Sequence, residues 1–517
     1  MVSDKMAQPP IKKIKLNGMS ATFITILIVI SCFLALTYSY YEKGNVAIRL
    51  IIAMAALFLS GSVIASINSL DGGYGLFLLK TRKGINVIDR LSKKAPWFWN
   101  GMAEWGLVLA FGILSYPIFK KRIGWSAYIL GIFSIIVILL FVLPATCLPL
   151  SFFNIPQIKA VSEGCGLSAS PTGFVGYFSL IISSIINGGL SVNQIIIYMI
   201  TIVGGFSLFL ISVLIYSSLV ILYAIGVALF GIVTSHPNYG ALQSTIPGVA
   251  PIIPGITIPL VSGIAAFVFI LVVHEFSHGV LARISKVDIK SVGIAFFGII
   301  PTGAFVEPDE KKISKLSKRE QNNISIAGVS ANMLFTLVFF ALMICTLIYV
   351  IPNFFIKNII LSGIINNTPA SNALSANDVG AIIYSWNKIP LVNASDFAYA
   401  VSLDKPGSTV YLNTNRGNYT VIANSNGKIG VFVDQIYSPR RGVLQSNIVN
   451  FFYTFFGLAF ILNLFIGIFN LLPIAAIGLD GYRIYKTEIK SKKIIKIITA
   501  IVAISILINI VPWIWNI

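Results

Sequence analysis

His274, Glu275 and His278 occupy positions i, i+1 and i+4 inside an apolar stretch, Pro259 to Ala282, whose other side chains are nearly all apolar or small. On a helix, residues i and i+4 lie one turn apart on the same face. Both imidazoles can therefore reach one cation, while Glu275, offset by one residue, points beside it towards a bound water. H-E-x-x-H at this spacing is the ligand-and-base pattern of zinc-assisted hydrolysis. An ionisable group within a membrane helix costs about 2.5 kcal/mol or more unless something compensates. Two of the chain's three histidines nevertheless fall in this motif. A hydrogen-bonded structural pair in a helix interface is the competing reading, and it leaves that concentration unexplained.

The elements that must position the motif belong to a membrane. Of 517 residues 56% are hydrophobic and 11% charged, with a mean hydropathy of +0.87. That composition describes a polytopic α-helical membrane protein, not a soluble domain with one anchor. The formal net charge of +19 sits in short basic segments beside apolar runs, as in cytoplasmic membrane loops, so the expected partner is the lipid bilayer and not nucleic acid. The four cysteines show no C-x-x-C spacing. Cys147 and Cys165, flanking one loop, are the two placed to pair.

Lys5, Lys12, Lys13 and Lys15 precede a first apolar run, Ala21 to Tyr40, that is long enough to span and carries no cleavable-signal pattern. The positive-inside rule then puts the N-terminus in the cytoplasm. Val46 to Ile67 returns the chain, and Leu79 to Lys94, with Lys80, Arg82, Lys83, Arg90, Lys93 and Lys94, reads as a cytoplasmic loop. Trp97 to Phe119 is apolar enough to cross, yet the cluster Lys120-Lys121-Arg122 follows it. A hairpin or interfacial segment is expected there, with Ala127 to Leu150 leading out. Val192 to Val233 exceeds one crossing at about 1.5 Å per residue over a core of about 30 Å, so a helical hairpin is expected. In the Pro- and Gly-rich loop that follows, His236 is either solvated or a third metal ligand. The motif helix then runs from outside to inside, with the metal towards the cytoplasmic half.

Beyond the motif, Ser291 to Val306 is apolar but interrupted by Gly293, Gly298, Pro301 and Gly303, which suggests short strands or a re-entrant segment. Such backbone at membrane depth must be covered or line a cavity, and an exposed edge there would suit strand addition by an extended peptide. Glu307 to Gln321 is charged and cytoplasmic. Ile324 to Ile351 crosses, opening with the small residues of Ala327-Gly328-Val329-Ser330-Ala331-Asn332. Residues 352–446 turn polar, with alternating strand-like segments, and read as a small, mainly β soluble domain. Three N-x-[ST] patterns, at Asn366, Asn393 and Asn418, agree with an external position. Asn447 to Leu472 returns, followed by Pro473 to Gly481. There Asp480, on the same side as the histidines, is the candidate third ligand. Ile494 to Ile517 makes a last crossing.

HEFSH in a membrane helix, AGVSAN opening the next, a soluble insert, and FNLLP followed by LDG together resemble the site-2 protease family of intramembrane zinc metalloproteases, over roughly Pro251 to Tyr482. The resemblance implies zinc held by His274, His278 and Asp480, with Glu275 as catalytic base. It also implies Asn332 (with Gly328, a G-x-x-x-N element) and Asn470 near the active centre, contacting substrate or oxyanion. PTGAFVEPD is similar to archaeal members. The implied substrate is a membrane protein with a transmembrane helix, cleaved in or beside that helix. Thr368-Pro369-Ala370 with Asn377-Asp378-Val379 and Asn387-Lys388-Ile389-Pro390 give the insert a similarity to a PDZ domain. In the family four residues usually separate the proline from the aspartate; here six separate Pro473 from Asp480.

The expected organisation is an N-terminal transmembrane region, 1–240; the first half of a protease core, 241–351; the insert, 352–446; and the second half of the core with the last helix, 447–517. Two other classes compete. A CAAX-type membrane zinc protease shares the motif but takes a glutamate as third ligand. A transporter or non-catalytic receptor would account for the helices but not for the ligand spacing.

Overall fold

The computed structural model describes residues 18–41, 46–120, 122–154, 192–234, 240–243, 245, 248–249, 252–440, 442–475 and 478–512. Eight helices among them are long and apolar enough to cross a membrane. They are apolar all round, with large side chains such as Phe23, Ile26, Phe133 and Phe230 left exposed on their outer faces. That is how a helix facing lipid, not water, is built. The chain is a multi-pass membrane protein.

Helices α1 (Gly18–Tyr41) and α2 (Val46–Ile67) pack together, and Cys32, Leu36, Ala53 and Leu57 form a cluster with Ile256, Leu260 and Ile300. Leu79 to Lys94, which is not among the candidate spans, carries regular structure. Its first residues complete strand β2 (Leu76–Thr81), which pairs with the short β1 (Asp71–Gly73), and Lys83–Lys94 forms α3. The cationic side chains disguised a helix that buries Ile88 and keeps its lysines exposed.

After α4 (Pro96–Phe111) the helix breaks at Gly112 (φ 57°) and continues as the short α5 (Ser115–Phe119). An unbroken helix from 104 to 119 would carry the chain about 22 Å away. Instead, the Gly124 N–H donates to Glu104 Oε2 at 2.8 Å. The segment folds back on itself, and by length and composition Pro96–Phe119 is also one of the eight candidate spans. Helix α6 (Trp125–Val137) leads away, and α7 (Val192–Val233) is helical except at Gly205 (φ 66°, ψ −172°). The two glycine breaks meet backbone to backbone. A β-carbon on Gly112 would sit 2.3 Å from the Ile202 carbonyl oxygen, and one on Gly205 would sit 2.3 Å from that of Ala110.

The motif helix α8 (Leu260–Ile284) is followed by a hairpin of β3 (Ile289–Phe297) and β4 (Ile300–Pro308). Strand β2 pairs antiparallel with β3, giving a four-stranded sheet in the order β1-β2-β3-β4 with β4 at one edge. The strand reading of Ser291 to Val306 is the one that forms. Helix α3 clamps the end of α8 through Ile88, Val280, Ile289 and Val292 and through Arg283 with Asp89. The Arg283 guanidinium holds the Asp89 carboxyl below its usual range. Helix α9 (Lys318–Cys345) comes next.

Residues 345–453 form a compact unit of their own, against the expected 352–446. Its antiparallel sheet runs β10-β5-β6-β8-β9, with β7 beside β6: β5 is Phe355–Ile364, β6 Ile382–Trp386, β7 Ile389–Pro390, β8 Thr409–Thr414, β9 Gly417–Ile422 and β10 Val431–Pro439. Alternate residues such as Val410 and Leu412 turn inward with Ile359, Ile383 and Trp386. Helix α10 (Ala394–Ser402) is capped by Asn393, whose side chain accepts from Ser395 and Asp396 N–H groups. That carbonyl of one predicted glycan acceptor is thus engaged in the fold.

The chain then continues through α11 (Val443–Phe469), α12 (Asp480–Glu488) and α13 (Lys492–Ile510). Cys147 is disulfide-bonded, while its expected partner, Cys165, lies outside the described residues; Cys32 and Cys345 are free thiols.

Candidate metal and active site

Helix α8 presents His274 and His278 on one buried face, their Nε2 atoms 3.3 Å apart. Asp480, first residue of α12, reaches them from a part of the chain two hundred residues away in sequence. Its Oδ2 lies 3.2 Å from His274 Nε2 and 3.3 Å from His278 Nε2. Among the described residues this is the group of His, Cys, Asp and Glu side chains able to share a metal ion, and no glutamate joins it. His236 lies outside the described residues.

The donor set fits zinc in type and in size. Two imidazoles and a carboxylate are ordinary zinc ligands, and bonds of about 2.0–2.1 Å at tetrahedral angles put ligand atoms about 3.3 Å apart. The observed triangle of 3.3, 3.2 and 3.3 Å is one face of such a tetrahedron. Asp480 Oδ2 is also buried without a hydrogen-bond partner, a cost that a bound cation would remove.

Helix α9 orients the imidazoles from behind. His278 Nδ1 donates to the Ile324 carbonyl at 2.6 Å, which leaves the Nε2 lone pair facing Asp480. Two turns further along α9, the Asn332 amide lies 3.2 Å from His274 Nδ1. Asn332 is fully buried, and its amide meets the ring nitrogen of His274 opposite the one that faces Asp480. Between these two residues, Gly328 lies against the His274 ring itself.

The turn carrying Asp480 is fixed by backbone. Asn470 closes its own helix, donating from Nδ2 to the Ile466 carbonyl at 2.9 Å, and its carbonyl accepts the Gly481 N–H at 2.8 Å. Within the longer spacer, Gly478 lies in the left-handed region (φ 67°). Leu472, Ile474 and Leu479 pack with Leu214 and Val502 on either side of it, while residues 476–477 lie outside the described set. At the other end of α12, Glu488 takes a bidentate pair of bonds from Arg122, at 2.6 and 2.9 Å, and one from Asn322 Nδ2 at 2.7 Å. Arg122, from the basic cluster after α5, therefore tethers the far end of the helix that begins with Asp480.

Glu275 is half-buried beside the pair, and its Oε2 accepts the Val306 N–H from edge strand β4 at 3.2 Å. Sequence reasoning passed over Ile324 and Val306 because both act through backbone groups, which leave no side-chain signal. It missed the Arg122–Glu488 pair because 366 residues separate the partners.

Residues 262–511 match the model of peptidase family M50. An uncharacterized protein of Methanocaldococcus jannaschii is 30% identical over 237 residues, which are 45% of this chain. The match spans 58% of that relative's length. His274, Glu275, His278, Asn332, Asn470 and Asp480 all lie inside the matched region, so it is over residues 262–511, the part that carries the site, that the chain is similar to peptidase family M50, the family of the site-2 proteases.

Proposed function

We propose that the chain is a zinc-dependent intramembrane endopeptidase, hydrolysing peptide bonds in or beside the transmembrane helices of other membrane proteins, as in regulated intramembrane proteolysis. One observation carries this reading: three buried ligand atoms from α8 and α12 converge on a triangle of zinc-site size, with a carboxylate on the adjoining residue. His274, His278 and Asp480 would hold the metal, which when bound supplies a Lewis acid for the peptide carbonyl and lowers the pKa of water towards neutrality. Glu275 takes the proton of the attacking water and passes it to the leaving amine.

Val306 ties that carboxylate to β4, the sheet edge beside α8. A substrate segment added to this edge would be held extended, as cleavage of a helix requires, within reach of Glu275. For Asn470 to donate to the oxyanion, its Nδ2 would leave the Ile466 carbonyl. By the charge pattern the N-terminus is cytoplasmic and the insert, read as PDZ-like, extracytoplasmic.

The test is Glu275→Gln in purified protein, with zinc content and cleavage of a fluorogenic transmembrane peptide measured together. Zinc should stay, and cleavage should fall by about 10²–10⁴-fold. Undiminished cleavage would sink the protease reading.

A further inference from the structure

We propose that Asn332 fixes the tautomer of His274: its side-chain oxygen accepts from Nδ1–H and so turns the lone pair of Nε2 towards the shared ligand position. This rests on the metal-site reading above and assigns Asn332 to positioning, not to substrate or oxyanion.

A neutral imidazole carries one proton on two nitrogens, and a nitrogen that binds a metal must be the bare one. At His278 the choice is already made, because a carbonyl can only accept: Ile324 takes Nδ1–H at 2.6 Å and leaves Nε2 bare. His274 needs the same arrangement for its Nε2 to join Asp480 Oδ2 and His278 Nε2. The group at hydrogen-bond distance from its Nδ1 is the Asn332 amide. With the NH₂ turned to Nδ1, the amide would put the proton on Nε2, and Oδ1 is then buried with nothing to accept from. Half a turn about the Cβ–Cγ bond keeps the contact and exchanges the roles: Oδ1 gains a donor, and Nε2 loses its proton. Ligating histidines characteristically carry an acceptor on their second nitrogen. Helix α9 would then supply both acceptors, one from backbone and one from side chain, eight residues apart along a helix facing the i, i+4 pair.

Full-length protein in detergent, titrated with zinc against a chelating dye, separates the possibilities. Asn332→Asp can only accept and should hold zinc within a few-fold of wild type, whereas Asn332→Leu, similar in size with no acceptor, should lose about 10–100-fold in affinity. If Asn332→Asp loses as much as Asn332→Leu, the amide donates and the proposal is overturned; equal affinity for wild type and Asn332→Leu overturns it as well. Should Asn332→Leu not fold, Asn332→Asp alone decides, since a merely structural amide would not be replaced by a buried carboxylate with the affinity intact. Failure of the underlying reading looks different: wild type takes up no zinc, or His274→Ala binds it unchanged.

Discussion

Gly328 and His274 are packed so closely that a β-carbon at 328 would lie 2.4 Å from Nε2 and 2.5 Å from Cε1 of the imidazole. The contact is with a ring already committed on its other side to Asn332, so it cannot be relieved by swinging a flexible chain end away. Overpacking of this kind costs about 1–3 kcal/mol. Gly328→Ala is expected to keep the fold and displace the ring, lowering zinc affinity by about tenfold or more, with cleavage falling alongside. Zinc per protein after dialysis and peptide cleavage are the readouts. A fully loaded, fully active variant would mean that the helices move apart at little cost.

The Arg122–Glu488 pair makes a second prediction, about acid stability. Burial on its own would raise the Glu488 carboxyl, but the bonds from Arg122 and Asn322 outweigh it, so the group sits below its ordinary value. A carboxylate depressed in this way stabilises the folded state above its unfolded value, near 4.3 to a rough approximation, and that contribution is lost as pH falls through the lower folded value. Arg122→Gln should cost about 1.5–3 kcal/mol near neutrality and flatten the loss of thermal stability on acidification. An unchanged acid limb would show that the pair does not hold α12.

Much of this site was legible because membrane burial makes polar residues conspicuous. His274, Glu275 and His278 stand out from Pro259–Ala282 without any structure, and Asp480 follows from the resemblance to a family with a late aspartate. What the sequence hides is pairing at long range. Strand β2 joins β3 through Phe77 opposite Phe296, yet Lys80, Arg82 and Lys83 make its neighbourhood read as a loop. The polarity of Asn332 marked it as more than packing, while its direction, behind the ring, depends on how α8 and α9 meet. Gly112 looks like any glycine in an apolar run, and only its positive φ and the return of Gly124 to Glu104 reveal the fold-back.

Orientation makes a third prediction. Reporter fusions after Lys315 should report the cytoplasm and fusions after Asn393 the outside, following the clustering of basic residues before α1, around α3 and around α12. The inverse result would overturn the charge argument and place the zinc-sized triangle in the other half of the membrane.

The attachment of Asp480 is the last prediction. Three residues do different jobs at this turn: Asp480 supplies the carboxylate, Asn470 supplies the backbone acceptor, and Gly481 allows the approach. A β-carbon on Gly481 would lie 2.0 Å from the Leu471 carbonyl oxygen, so even alanine must break the bond from the Gly481 N–H to Asn470. Gly481→Ala removes no ligand atom, yet it should lose zinc affinity nearly as Asp480→Ala does, because the carboxylate can no longer be held 3.2–3.3 Å from both imidazoles. Asp480→Glu, one methylene longer, should keep some metal in poorer geometry. His236→Ala should leave zinc untouched. If His236→Ala instead lost the metal while Asp480→Ala and Gly481→Ala kept it, the site would be a three-histidine one, and the short distances from Asp480 to the imidazoles would be those of a carboxylate accepting hydrogen bonds beside the metal, not binding it.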